Sequence, residues 1–280
     1  MQTHQQHYFE YGYCVVPNVI SSEMIETVYQ EVLQVTRQQH ARFGLVCAQT
    51  GNLETDCLES MRLLLNRDVQ AYLSTLRLLA KLPSVRRLTS SHNIESVVRN
   101  MGCAVPTIPE SPVFHVISEH LRIPNGYFGF EAHQDWTSIQ GALDVMVCWV
   151  PLVDVSTTNF PLLLVPKSHK KGMLPGEIED NAYKVDQSCI QDDQFVSVVA
   201  NAGDIVLMTG WTIHKTGVDG CAGFRLALSN RWEDASEPHF VERNYPCAYK
   251  KYVHREWITP GFPDFEQIQE ALKRQFNERS

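Results

Sequence analysis

The sequence predicts a mainly β protein with flanking helices, on three observations. From Pro106 to about Trp232, short apolar, β-branched runs alternate with Pro, Gly, Asn and Asp, the pattern of an all-β sandwich or barrel. The first 105 residues instead place apolar side chains at helical spacing. The 280 residues are 44% hydrophobic and 20% charged, an ordinary globular balance with enough chain for one well-buried domain. The expected organisation is one domain over residues 1–280: a helix-rich part over about 1–105, a β core over about 106–235 and a C-terminal extension over 236–280. Helices packed outside a β core produce the composition shift near Pro106 without a domain boundary.

In chain order, residues 13–19 are short, apolar and β-branched, which suits a strand ending at Pro17. Residues 21–39 read as a helix that Ser22 could cap, with Met24, Ile25, Val28, Val32 and Val35 along one face. Residues 58–82 form a second helical stretch, rich in Leu and Arg and stopped by Pro83. A shorter helix over 92–101 ends at Gly102. Strands are expected over 113–117, 143–150, 161–165, 195–199, 204–208 and 224–230, and a surface helix over 265–276. There is no internal repeat and no low-complexity segment.

Composition excludes several classes of partner. The net charge is −8, whereas a sequence-independent grip on phosphates needs clustered Lys and Arg, so nucleic acid is not an expected partner. No run of about 18 apolar residues exists, so no membrane span is expected. None of the 8 Cys forms a CxxC pair, which argues against a zinc ribbon or a thioredoxin-type motif. Residues 1–10 are polar and lack the apolar run of a signal peptide. A cytoplasmic protein with reduced core thiols is the expectation. Nothing in the sequence sets the oligomeric state.

The informative segment is Glu131, Ala132, His133, Gln134, Asp135, Trp136. In an extended chain, residues two apart point to one side, so His133 and Asp135 would aim an imidazole and a carboxylate at one point. A second His from a neighbouring strand would complete a facial triad with its opposite face open, the arrangement of non-haem Fe(II) oxygenases. Alone, the triplet reads equally well as a surface turn. The later run from Ala202 to His214 is a tight turn, an apolar strand and then a His at its far end. Arg225 lies 11 residues beyond His214, inside an apolar strand. A charge there requires a partner, and a bound dicarboxylate would pair with it bidentately.

With these residues in place, the sequence resembles the phytanoyl-CoA dioxygenase family of Fe(II)/2-oxoglutarate oxygenases. His133, Asp135, His214 and Arg225 match that family's pattern, with the two His 81 residues apart. Thr216 matches a hydroxyl that helps bind the co-substrate's distal carboxylate, and Trp149 an aromatic on the strand after the HxD. Residues 165–169 are similar to a family turn, and residues 9–17 to its first strand. The match covers most of residues 8–233. Lys167 and Pro161 stand where the family commonly has Gly, which alters loops rather than the triad. A further co-substrate ligand is expected on the strand before the HxD; His115 and Ser118 are the candidates, though each also reads as an ordinary polar group at a strand edge.

The resemblance implies a double-stranded β-helix (jelly-roll, cupin-like) core in a single oxygenase domain. It implies Fe(II) on His133, Asp135 and His214, and 2-oxoglutarate held by Arg225, Thr216, Trp149 and Ser118 or His115. Molecular oxygen is the further reactant, and hydroxylation of a small molecule or glycan sugar the expected reaction, with succinate and CO2 released. Asp135 favours hydroxylation over halogenation, because the related halogenases have a small residue there. Trp136, Gln140, Tyr127, Phe130, His169 and Trp211 are candidate pocket or rim residues. Lys167, Lys170 and Lys171 read as a solvated turn in preference to a contact for an anionic substrate. Arg231 reads as a substrate contact or a structural ion-pair partner. Two rivals remain: a non-catalytic β-helix protein, and a cupin-like metalloenzyme independent of 2-oxoglutarate. Arg225 separates the latter from the main reading.

Overall fold

Strand alternation decides how the molecule is layered. The computed structural model describes residues 3–47, 49–123, 128–179, 182–218, 220 and 223–246. The helices are α1 (His4–Tyr11), α2 (Ser22–Phe43), α3 (Leu53–Arg67), α4 (Val69–Leu79), α5 (Pro83–Thr89), α6 (His92–Asn100), α7 (Trp136–Ile139) and α8 (Pro238–Glu242). The strands are β1 (Tyr13–Val16), β2 (Pro106–Thr107), β3 (Val113–Ser118), β4 (Met146–Pro151), β5 (Leu162–Leu164), β6 (Gly176–Glu179), β7 (Ala182–Val185), β8 (Val196–Val198), β9 (Ile205–Thr209), β10 (His214–Thr216) and β11 (Phe224–Asp234). The larger sheet runs β1-β9-β4-β11-β2, with β3 also paired to β11; the smaller runs β10-β5-β8, and β6 pairs with β7. The pairings are antiparallel, and with the flanking helices they make the expected jelly roll. Met1–Ala248 cluster as one unit.

Register separates the two faces of the larger sheet. Cys148 lies opposite Asn230 and Leu207, and Leu207 opposite Cys14. That face meets the helices: Asn230 Nδ2 donates to the Thr89 carbonyl of α5, and Cys14, Cys148 and Leu207 share a core with Val28, Val32 and Leu88. The opposite face carries Trp149 across from Ser229, His115 across from Ala227 and Ile117 across from Arg225. Residues two apart on β11 share a face, so Arg225, Ala227, Ser229 and Arg231 all project to that side. Both faces are covered, which is why β4 and nearly all of β11 are buried.

Several expected elements shift. The helix over 58–82 is two helices, α3 and α4, broken at Asp68, whose carboxylate accepts from Ala71 N at 2.9 Å and starts a new helix. Pro83 does not only stop a helix; it occupies the first turn of α5, where its missing N–H costs nothing. Ser21, not Ser22, caps α2, accepting from Met24 N at 3.4 Å. Strand β11 runs on past 230 to Asp234. The polar start folds as α1, with a capping box between Thr3 and Gln6. Cys14, Cys57, Cys103 and Cys148 are buried free thiols. None of the described helices is long and apolar enough to cross a membrane. The expected helix over 265–276, and Tyr127, lie outside the described residues.

Candidate metal centre

The two histidines meet because they face each other across an antiparallel bridge. His133 N donates to the His214 carbonyl at 3.0 Å, and His214 N to the His133 carbonyl at 3.1 Å. Such a reciprocally bonded pair puts both side chains on one side. Their ring centroids lie 4.2 Å apart. Gln134, between His133 and Asp135, points the other way and is fully buried. Its amide donates to the Gly172 and Trp211 carbonyls at 2.8 and 2.7 Å and accepts from Leu174 N at 2.9 Å. This clamp holds the segment in register.

Asp135 reaches the same point by a different route from the expected extended chain. Its backbone is helical (φ −69°, ψ −30°) and leads into α7, with Trp136 N donating to the Gly210 carbonyl at 3.0 Å. Only His133, through its bridge, has strand character. The carboxylate does not cap α7. Oδ1 lies 3.7 Å from His133 Nε2, and Oδ2 lies 3.8 Å from His214 Nε2. One ligand atom from each of the three residues falls within 4.8 Å of the others.

Hydrogen bonding prepares these atoms for a cation. His133 Nδ1 sits 2.7 Å from the Glu131 carbonyl, and His214 Nδ1 3.0 Å from the Thr212 carbonyl. A carbonyl only accepts, so each Nδ1 carries the proton and each Nε2 offers a lone pair inward. Burial, reinforced by His133, pushes His214 down to about 4, which keeps it neutral near pH 7. Burial alone would raise Asp135, but Arg231 and the two imidazoles hold it well below the usual carboxylate range. Arg231 Nη2 donates to Oδ1 at 2.9 Å, while Oδ2 is buried without a hydrogen-bond partner. Two inward imidazole lone pairs and an orphaned carboxylate oxygen are a donor set that fits a divalent first-row metal.

Arg225 is buried, its guanidinium donating to the Phe160 carbonyl and 5.7 Å from the Trp149 ring centroid; Phe130, whose ring packs against His133, lines the same cavity as Arg225. Arg225, His115, Ser118 and Phe130 line one cavity of about 410 Å³, with Tyr72 and Leu76 of α4 on its far side. His115 is pushed down to about 3 by burial and by Arg225 and Arg231. Its Nε2 is 2.8 Å from Ser229 Oγ, and that oxygen accepts from Arg231 Nη1 at 3.1 Å. Ser118 Oγ accepts from His120 N at 3.3 Å. Thr216 Oγ1 accepts from Phe130 N at 3.1 Å and so keeps its own proton to donate.

The remaining candidates divide. The Phe130 ring packs 5.4 Å from that of His133 and 6.1 Å from that of His115. Arg231 is the Asp135 ion-pair partner. Trp136 and Trp211 stack on each other at 4.7 Å, bonded to the Ala142 and Leu143 carbonyls. Gln140 is exposed and bonds back to the Thr137 carbonyl. His169 is no rim residue: it turns toward α1 and bonds the Phe9 carbonyl. Lys167 adopts φ 65°, a left-handed conformation that favours Gly, and Lys167 and Lys170 both pair with Glu10. Sequence reasoning missed Gln134 and Ser229. The Ser was visible only as the residue two from Arg231 on the same strand face.

Comparisons with known proteins bear on the fold and the family. A bovine (Bos taurus) protein, phytanoyl-CoA dioxygenase domain-containing protein 1, is 24% identical over 191 residues, which is 64% of this chain and 58% of that protein. The chain therefore matches little more than half the length of that relative. Among solved structures, the epimerase SnoN in complex with Fe3+, alpha ketoglutarate and nogalamycin RO is 19% identical, with 83% of each chain covered and a TM-score of 0.54. The non-heme monooxygenase ThoJ is 15% identical over 83% of this chain and 77% of its own, with a TM-score of 0.56. HygX from Streptomyces hygroscopicus, with nickel and 2-oxoglutarate bound, is 13% identical over 84% of this chain and 88% of its own, with a TM-score of 0.50. At these identities the likeness is one of fold. The family model described as Phytanoyl-CoA dioxygenase (PhyH) matches residues 8–226, and the chain belongs to that family.

Proposed function

We propose that the chain is an Fe(II)- and 2-oxoglutarate-dependent dioxygenase that hydroxylates a C–H bond of a small molecule or glycan sugar. The observation that carries this reading is the convergence of His133, Asp135 and His214 on one point; the buried Arg225 lines a cavity that Phe130, packed on His133, also lines. His133 Nε2, His214 Nε2 and Asp135 would hold the metal on one face and leave the opposite face for exchangeable ligands. When bound, the iron and 2-oxoglutarate supply the oxidising power, with oxygen consumed and succinate and CO2 released.

The chain's own residues bind and orient. Arg225 and the Thr216 hydroxyl would receive the distal carboxylate of 2-oxoglutarate, with the Trp149 ring 5.7 Å from the guanidinium carbon. Ser118 and His115 line the same cavity from successive faces of β3 and are the candidates for its other end. Phe130 and the apolar stretch of β3 exclude water from that space. The Glu131 and Thr212 carbonyls hold the imidazoles in the tautomer that binds metal. SnoN and HygX, with metal and keto acid in a shared fold, support the same assignment of cofactors.

The test is succinate release from 2-oxoglutarate, screened across small metabolites and sugars with Fe(II) and labelled oxygen. One labelled atom should enter succinate and one the product, and His133→Ala and Asp135→Ala should abolish turnover. Substrate oxidation that continues undiminished without 2-oxoglutarate would reject the proposal in favour of a cupin-like enzyme of another class.

A further inference from the structure

Asp135 has two oxygens, and the structure treats them differently. Oδ1 accepts from Arg231 Nη2 at 2.9 Å, while Oδ2 is buried, free of any hydrogen bond and 3.8 Å from His214 Nε2. Arg231 is itself held. Its Nη1 donates to Ser229 Oγ at 3.1 Å, and Ser229 Oγ lies 2.8 Å from His115 Nε2. An oxygen that accepts from the guanidinium turns its own proton to the neutral imidazole. The chain His115–Ser229–Arg231–Asp135 is therefore consistent in every donor and acceptor. Arg231 and Ser229 project from the same face of β11, and His115 lies on the adjacent β3, so this support stands on paired strands rather than on a loop.

We propose that Arg231 is a positioning residue that keeps Asp135 to one metal-facing oxygen. This rests on the metal site proposed above. The argument is one of counting. An octahedral ion has six positions. The chain supplies three when Asp135 binds through one oxygen, and a keto acid chelate takes two more. One position is left for oxygen. If both Asp135 oxygens bound, the chain would fill four positions, and the chelate would close the site. A carboxylate free on both sides is able to bind in either way. With Oδ1 committed to a fixed guanidinium, only Oδ2 is available. A simpler role for Arg231, as charge compensation for a buried carboxylate, needs only its positive charge and gives no part to Ser229.

The experiment compares wild type, Arg231→Met, Arg231→Lys and Ser229→Ala. Each is crystallised with nickel and, separately, loaded anaerobically with Fe(II) and 2-oxoglutarate and exposed to nitric oxide, an oxygen analogue whose iron adduct is read by electron paramagnetic resonance. In wild type, one Asp135 oxygen should lie at roughly 2.0–2.2 Å from the metal and the other stay on Arg231. Arg231→Met should bring both oxygens onto the metal and lose most of the nitric oxide signal. Arg231→Lys should restore one-oxygen binding. Ser229→Ala keeps the charge but removes one hydrogen bond that holds the guanidinium, and should show a partial loss of signal. One-oxygen binding with a full signal in Arg231→Met overturns the inference. If that variant does not fold, Ser229→Ala decides, and a full signal there overturns it. Wild type with no metal on these three residues would instead remove the metal site, and the proposed function with it.

Discussion

Replacing Arg225 by Met tests the co-substrate assignment with little change in side-chain length. Arg225 is buried on β11, with Trp149 against its guanidinium and the Phe160 carbonyl as an acceptor. In the proposed complex it also meets the far carboxylate of 2-oxoglutarate. Removing one partner of a buried, hydrogen-bonded charge pair costs about 2–5 kcal/mol, or roughly 30- to several thousand-fold in affinity. The ligand offers an internal control. 2-Oxobutyrate has the same chelating keto acid end but no distal carboxylate. Calorimetric titration of nickel-loaded wild type should show 2-oxoglutarate binding tighter than 2-oxobutyrate by about that factor. Arg225→Met should bind the two about equally, with its 2-oxobutyrate affinity close to that of wild type. If the variant still discriminates as wild type does, Arg225 does not hold the carboxylate, and the reasoning from a buried arginine fails.

Two further predictions follow from the same site. Nickel at a hundredfold excess over its dissociation constant should stabilise the folded chain by about 2.7 kcal/mol, or roughly 5–10 °C in melting temperature. Asp135→Ala and His214→Ala should show no such shift in a thermal melt; an unchanged shift would place the metal elsewhere. Glu110 is pushed up to about 7 by burial, with Asp135 and Glu233 adding to the shift and Arg231 opposing it. The folded, metal-free chain then binds more protons than the unfolded chain between the ordinary carboxyl value of 4.5 and about 7. Stability should fall as pH rises through that window, and Glu110→Gln should remove this part of the slope. Identical slopes in urea titrations of the two proteins would contradict it.

What the sequence made legible follows from how local each signal is. The β core was readable because each strand is a short apolar run between turn residues, and β3, β5, β8 and β9 fall within a residue or so of expectation. The His133, Asp135 and His214 cluster was readable because its spacing survives in the chain even though its geometry does not. Asp68 was missed because leucine periodicity runs through α3 and α4 alike, and only a side-chain bond to Ala71 N separates them. The end of β11 was missed because Glu233 and Asp234 look like loop residues. Their carboxylates instead accept from Ala142 N and from Ala104 N and Val105 N, which makes a buried acidic strand end tolerable. The Arg231 partner was not readable, since any of 32 acidic residues could have filled the role. Asp135 is chosen only once the bridge between His133 and His214 brings β10 alongside.

A crystal grown without oxygen in the presence of Fe(II) and 2-oxoglutarate, measured at the iron absorption edge, tests the account most directly. It should show a single iron peak bonded to His133 Nε2, His214 Nε2 and one oxygen of Asp135, with the keto acid running from the metal to Arg225. An iron peak away from these three side chains, or a keto acid whose far carboxylate does not meet Arg225, would contradict it.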